Sequence, residues 1–134
     1  RSSLTGHLVF STLHTNDSAS GIARLMDMGI QPYLLASSVE VIIAQRLVRL
    51  LCPLCKGKGC ESCSETGFKG RRPIYEIMVI DNDIRQMIVE HKNAQEIKDK
   101  ARKNGMRTLM ENGMQLVEQG LTTKEEILRV VELE

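Results

Sequence analysis

Apolar positions follow a strand-like spacing in the first part of the chain and a helical spacing in the last. Residues 7–13 form a short, apolar, β-favouring run, typical of a strand buried in a parallel sheet. Residues 42–51 are apolar with regular polar interruptions, and residues 70–80 alternate apolar with polar side chains. We predict that these last two runs pair as antiparallel strands. A helix continuing from Pro32 is the competing interpretation of the first of them.

Cap residues divide the remaining sequence into helices. Asn16 or Asp17 can cap a helix that ends at about Met28, where Gly29 follows. Pro32 favours the first turn of a second, shorter helix that extends to about residue 38. Two helices are therefore expected between the first two predicted strands.

From residue 81 onward the apolar spacing is helical throughout. Asn93 and Glu96 have the spacing of a capping box, and so do Thr122 and Glu125. The predicted helices cover about residues 81–90, 93–105, 106–119 and 122 onward. Four short amphipathic helices with short links are typical of a compact helical subdomain.

All four cysteines lie between the two predicted β-strands, as Cys52, Cys55, Cys60 and Cys63. Two Cys-x2-Cys pairs separated by four residues can bring four thiolates into the tetrahedral shell that zinc prefers. A dithiol redox site is the alternative, and the second adjacent pair argues against it. Four cysteines would fill all four positions of the shell, and no His, Asp or fifth Cys lies nearby to suggest a site with an open catalytic position. We therefore expect a closed, structural zinc site in the connection of a long hairpin.

Composition and charge limit the other classes of function. The chain has 134 residues, of which 42% are hydrophobic, so a folded core is expected. Only 3% are aromatic, which argues against a surface that stacks nucleic-acid bases. The densest basic cluster lies around the cysteines, as Lys56, Lys58, Lys69, Arg71 and Arg72. It can balance the charge of a four-thiolate zinc site, or form a patch for nucleic acid or anionic lipid.

No apolar run approaches the roughly 20 residues of a membrane span, and no signal peptide opens the chain. Clustered cysteines in such a chain favour a reducing compartment and a metal over disulfides. The sequence has no initiator Met and begins close to a strand-like run, so a fragment of a longer protein is expected.

Polar residues follow the first predicted strand, where ligands bind in open α/β sheets. His14, beside Thr12, can hydrogen-bond a phosphate there, and a purely structural histidine is an equal alternative. Arg46 and Arg49 interrupt an apolar strand, so each needs a partner or an exposed strand face. No Gly-x4-Gly-Lys-Ser/Thr motif occurs in the 134 residues.

The stretch Leu-Thr-Gly-His-Leu-Val-Phe-Ser-Thr-Leu-His-Thr-Asn-Asp at residues 4–17 resembles the histidine box of secretion ATPases. These are the hexameric motors of type II secretion and type IV pilus assembly. The resemblance continues through residues 24–30, 35–38 and 44–49, the four cysteines, residues 70–78 and residues 120–123. It thus spans essentially the whole chain.

The resemblance implies an α/β fold: the C-terminal part of a RecA-like P-loop ATPase sheet, with a zinc-binding hairpin and a C-terminal helical subdomain. The implied divisions are residues 1–51 (core), 52–69 (tetracysteine element), 70–80 (returning strand) and 81–134 (helices). The four cysteines favour the assembly and secretion members over pilus-retraction relatives. With only four residues between the pairs, the loop is expected to be more compact than in many relatives.

The resemblance also implies site residues and ligands. His7 and His14 match the two histidines of the box, with His14 nearer to the nucleotide phosphates. Thr12 would occupy a sensor-like place, and Arg46 is a candidate nucleotide contact. ATP and Mg²⁺ would bind the full-length protein, whose phosphate-binding loop and acidic motifs precede the histidine box. Without them this chain alone is expected to be inactive.

The partners that the resemblance implies are further copies of the same chain in a homohexamer and inner-membrane platform proteins, with no nucleic acid. The protein would be cytoplasmic and held at the inner membrane through these partners. The alternative is a stand-alone zinc-binding interaction module. The Cys-x2-Cys-x-Gly-x-Gly stretch at residues 52–59 also resembles one repeat of a chaperone zinc domain, in which the two histidines have no role.

Overall fold

Helices and one β-hairpin make up the regular structure of the described part of the chain. The computed structural model describes residues 5–13 and 15–131. Within these ranges the elements are, in chain order, α1 (Ser18–Asp27), α2 (Pro32–Ser38), β1 (Val41–Leu51), β2 (Phe68–Val79), α3 (Asn82–Val89), α4 (Ala94–Lys103), α5 (Leu109–Glu118) and α6 (Lys124–Val130). A short 3₁₀ turn, Glu61–Cys63, lies between the two strands.

The predicted strand at residues 7–13 does not form. These residues have no regular secondary structure, and Leu8 and Phe10 are 81% and 88% exposed. A strand needs a partner for its backbone hydrogen bonds, and the two strands among the described residues pair with each other. Residues 7–13 have a composition that favours a strand, but composition alone does not provide a partner strand.

The predicted antiparallel hairpin forms. Ile80 N donates to Glu40 O and Cys52 N donates to Gly67 O, both at 2.9 Å, so the two strands run in opposite directions. The strand interpretation of residues 42–51 is therefore confirmed over the helical one. The cysteine stretch lies in the connection of the hairpin, as predicted.

The chain divides into two compact units, and both strands contribute to each unit. Unit 1 comprises the residues up to Ala44 together with Ile77–Met106, and it contains α1 to α4. Its buried core is aliphatic and draws on all four helices and on the end of β2. The largest buried side chains in this core are Ile22, Leu35, Met78, Ile80, Ile84, Ile88 and Ile97.

Local caps fix the helix ends of unit 1. Asp17 accepts a hydrogen bond from Ser20 N at 2.9 Å and pairs with Lys98 at 3.2 Å, so it is both the cap of α1 and a link to α4. Asn93 and Glu96 form the predicted capping box at the start of α4. The helices predicted here are confirmed to within a few residues.

Unit 2 comprises Gln45–Glu76 and the residues from Arg107 to the end of the described chain. Its helix α5 begins at Leu109, three residues later than predicted, because Thr108 is its cap. The cap of α6 is Thr123, which accepts from Glu126 N at 3.2 Å, and the predicted cap, Thr122, is wrong. The Thr122 hydroxyl instead donates to Arg49 O on β1 at 2.7 Å.

The four C-terminal helices are shared between the units, with α3 and α4 in unit 1 and α5 and α6 in unit 2. The predicted boundaries after residues 51, 69 and 80 fall inside these units, and that division of the chain stays a prediction. Among the helices that the structure describes, none is both long and apolar enough to cross a membrane.

Candidate metal centre

The thiols of Cys52, Cys55, Cys60 and Cys63 converge on one point in unit 2. All four Sγ atoms lie within 4.8 Å of one another. The Cys52–Cys60 and Cys55–Cys63 pairs are 3.8 Å apart, and Cys60–Cys63 is 3.7 Å. A tetrahedral zinc site with Zn–S bonds near 2.3 Å requires sulfur–sulfur separations of about 3.8 Å. The donor set and its spacing therefore fit zinc.

The two halves of the site repeat the same local geometry at an offset of eight residues. Gly59 N donates to Cys55 Sγ, and Gly67 N donates to Cys63 Sγ, both at 3.2 Å. The sequence carries this repeat as Cys-x2-Cys-x3-Gly, twice in tandem from residue 52 to residue 67. The two glycine N–H donors were not among the predicted site residues. Their equal spacing in the sequence, four residues after Cys55 and four after Cys63, could have identified them.

Gly67 must be a glycine for two reasons. Its φ of +79° lies in the left-handed region, and a Cβ at this position would come within 2.6 Å of Gly57 O. The close approach brings the turn after the second Cys pair against the turn after the first. The compact four-residue link between the pairs depends on this contact.

Backbone donors and neighbouring thiols separate the acidities of the cysteines. Burial disfavours the Cys63 thiolate, but the N–H groups of Cys60 and Gly67 donate to its Sγ and lower its pKa to about 6. Cys60 Sγ accepts from the Cys63 N–H, yet burial and the adjacent thiols outweigh this bond and raise the pKa of Cys60 to about 11. Four thiolates in one shell repel one another, so a cation is needed to hold all of them deprotonated.

A buried carboxylate lies beside the strand that leads into the site. The side chain of Glu126 is fully buried and accepts from Arg49 N at 2.7 Å, Arg49 Nη2 at 3.0 Å and Arg129 Nε at 2.7 Å. The bond from Arg129, reinforced by those from Arg49, outweighs burial and lowers the pKa of Glu126 to about 2. Of the two predicted alternatives for Arg49, a partner or an exposed strand face, the structure shows a partner, Glu126.

The basic residues around the cysteines are exposed, as Lys56, Lys58, Lys69, Arg71 and Arg72. Lys69 Nζ donates to Ser62 Oγ at 2.9 Å. Because Ser62 lies between Cys60 and Cys63, the Lys69 ammonium is close to the second Cys pair. This placement agrees with charge compensation of a thiolate site.

Three of the four residues predicted to bind the nucleotide, His7, Thr12 and Arg46, lie in the part of the chain that the structure describes. His7 and Thr12 are exposed, and His7 Nδ1 lies 3.0 Å from Thr5 Oγ1. His14 lies outside the described residues. Arg46, on β1, donates from Nη1 to Gln45 O at 2.7 Å. The roles of these four residues in nucleotide binding stay predictions.

A family model described as type II/IV secretion system protein matches residues 1–129. The chain belongs to this family. Among its relatives is the type II secretion system protein HxcR of Pseudomonas aeruginosa, 47% identical over 138 residues, which cover 97% of this chain and 29% of HxcR. The type IV pilus assembly ATPase PilB of Thermus thermophilus is 43% identical over 152 residues, which cover 93% of this chain and 17% of PilB.

Two solved structures share the fold. The pilus retraction motor PilT, solved with bound ADP, matches with a TM-score of 0.72 and 26% identity over 95% of this chain and 33% of PilT. The ATPase DotB of Legionella pneumophila, with a TM-score of 0.66 and 20% identity, supports the fold alone. The predicted α/β ATPase fold and the resemblance to secretion ATPases are confirmed. The chain spans a third or less of each of these four proteins.

Proposed function

We propose that the four cysteines bind one zinc ion as a closed structural site. The observation that carries this proposal is the convergence of four Sγ atoms within 4.8 Å of one another, with the Cys52–Cys60, Cys55–Cys63 and Cys60–Cys63 separations at 3.7–3.8 Å. Four sulfur ligands complete a tetrahedral shell and leave no position for a substrate. When bound, zinc supplies only a crosslink between the two Cys pairs, so the end of the hairpin has a structural role.

Zinc content tests this proposal directly. Elemental analysis of protein purified without added chelator should find one zinc per chain. A matched variant, Cys63→Ser, removes the thiol with two backbone donors and should reduce the zinc content well below one. Metal-free protein with four titratable thiols would contradict the proposal.

For the whole protein, we propose an ATPase motor of type II secretion or type IV pilus assembly that binds ATP and Mg²⁺. The support is the family match over residues 1–129 and relatives such as HxcR and PilB. We further propose a homohexamer in the cytoplasm that acts on inner-membrane platform proteins. The tetracysteine element favours assembly or secretion over retraction. Secretion and assembly are alternatives within this proposal.

In the same proposal, His14, His7 and Thr12 lie near the nucleotide phosphates, and Arg46 contacts the nucleotide. Phosphoryl transfer requires a phosphate cradle and bound metal, and no phosphate-binding loop motif occurs in the 134 residues. We therefore expect the full-length protein to hydrolyse ATP and this chain alone not to.

ATP turnover by the two proteins tests the assignment. The full-length protein should lose most of its turnover with His14→Ala, whereas exposed His91→Ala serves as the matched control. Turnover by the 134-residue chain above that of its own His14→Ala variant would contradict the expected division of roles. A stand-alone zinc module, the alternative function, predicts no turnover in any of these proteins.

A further inference from the structure

Arg49 joins three segments of unit 2 just before the first metal ligand, Cys52. Its backbone N donates to the Glu126 carboxylate, and its backbone O accepts from the Thr122 hydroxyl, both at 2.7 Å. Its guanidinium binds the same carboxylate and lies 4.2 Å from the centroid of the Phe68 ring. Both the backbone and the side chain of Arg49 therefore hold β1 against its neighbours in unit 2.

Phe68 connects this contact to the metal ligands. The preceding residue, Gly67, donates from its backbone N to Cys63 Sγ at 3.2 Å and accepts at its O from Cys52 N at 2.9 Å. The start of β2 is thus fixed by Arg49 on one side and by Cys52 and Cys63 on the other.

The link from β1 to helix α6 is strong because Glu126 is buried. A buried carboxylate must keep its partners, since an unpaired charge in the interior is costly. Arg129, one turn along α6, binds both of its oxygens at 2.7 and 2.9 Å. In addition, Leu51 N donates to Leu121 O at 2.8 Å, and this backbone hydrogen bond joins the last residue of β1 to the loop before α6.

We propose that Arg49 and Glu126 are positioning residues of the metal site, so that zinc binding and the packing of α6 on β1 stabilise each other. Neither residue is a ligand. Glu126 holds Arg49, and Arg49 holds the two strand ends at the separation that four converging thiols require. Thermodynamic linkage makes the effect reciprocal: the factor by which packing of α6 on β1 strengthens zinc binding equals the factor by which bound zinc favours that packing. The inference rests on the proposed zinc site.

Zinc affinity tests one direction of the linkage. Zinc is titrated against a chromophoric chelator in the 134-residue chain, in Glu126→Gln and in Glu125→Gln. Glu125 is the matched control, because it is exposed and removes the same charge from the same turn of α6. Substitution of residues that orient metal ligands typically lowers the affinity for the metal by about 10–100-fold. We expect at least tenfold weaker binding for Glu126→Gln and an unchanged affinity for Glu125→Gln.

Hydrogen exchange on the unsubstituted chain tests the other direction and does not depend on a variant that might fail to fold. The Val131 N–H, bonded to Ile127 O at the end of α6, should lose protection when a chelator removes zinc. The Glu90 N–H, bonded to Gln86 O at the end of α3 in unit 1, should exchange at the same rate with and without zinc.

Each outcome bears on the proposal. Equal zinc affinity in all three proteins, or α6 protection that is independent of zinc, would overturn the linkage and leave the zinc site itself intact. Equal loss of protection in α3 and α6 would also overturn it, because the effect would then be global. A chain that binds no zinc would overturn both the site and the linkage.

Discussion

Gly67 brings the two turns of the cysteine cluster into close contact. Gly67→Ala should destabilise the chain by about 2–5 kcal/mol: about 1–2 for a side chain at positive φ, and about 1–3 for the overlap with Gly57 O. Gly70→Ala is the matched control, since Gly70 has a φ of +82° but nothing within 4 Å of its Cβ position. Thermal unfolding should separate the two variants, and equal losses of stability would contradict the role of the close contact.

Contacts between residues close together in the sequence were the part best predicted from the sequence. The four thiols come together because Cys-x2-Cys turns are local structures, and the caps Asp17 and Asn93 act on amides three residues away. Arg49 shows the limit. Its position on an apolar strand predicts a partner or an exposed strand face, but the partner, Glu126, lies 77 residues further along the chain. No local pattern identifies it.

At the scale of single elements, helices α5 and α6 pack closely at Gly113. A Cβ on Gly113 would lie 2.8 Å from Ile127 Cγ2. Replacing glycine by alanine inside a helix normally stabilises it by about 0.5–1 kcal/mol, whereas overpacking costs about 1–3 kcal/mol. We therefore expect Gly113→Ala to be destabilising by roughly 1 kcal/mol, measured by urea unfolding.

A double-mutant cycle attributes that loss to the helix contact. Ile127→Ala removes the atoms that the new methyl group would meet, so the double variant should be more stable than the sum of the single losses implies. Additive losses would show that Gly113 matters for another reason.

Element boundaries show why the prediction was partly wrong. Thr122 and Thr123 are equivalent as caps in a local pattern, and the choice between them is made by the Arg49 carbonyl, which binds the Thr122 hydroxyl. The run at residues 7–13 has the apolar composition of a strand, but among the described residues β1 and β2 pair with each other. The first error arises from a long-range contact and the second from a strand partner that the local composition cannot supply, so neither could be detected from the local sequence pattern.

At the scale of the whole molecule, acid should weaken both units. Asp17 in unit 1 has its pKa lowered because hydrogen bonds from Ser20 and Lys98 outweigh its burial. Glu126 in unit 2 has its pKa lowered to about 2 from an ordinary value of 4.5, by its bonds to Arg129 and Arg49 against burial. Both carboxylates therefore stabilise the folded state above the ordinary carboxyl pKa, and the stabilisation is lost as pH falls through the folded-state value.

The Glu126 contribution can be isolated by comparison with Glu126→Gln, which cannot ionise. Urea unfolding of both proteins is measured from pH 6 to pH 2 with a chelator present throughout, so that zinc release at acid pH does not contribute. The unsubstituted chain should be more stable at pH 6, and the difference in unfolding free energy should shrink as the pH falls from about 4.5 towards 2. A difference that is the same at every pH would mean that the Glu126 side chain acts through packing and not through its charge.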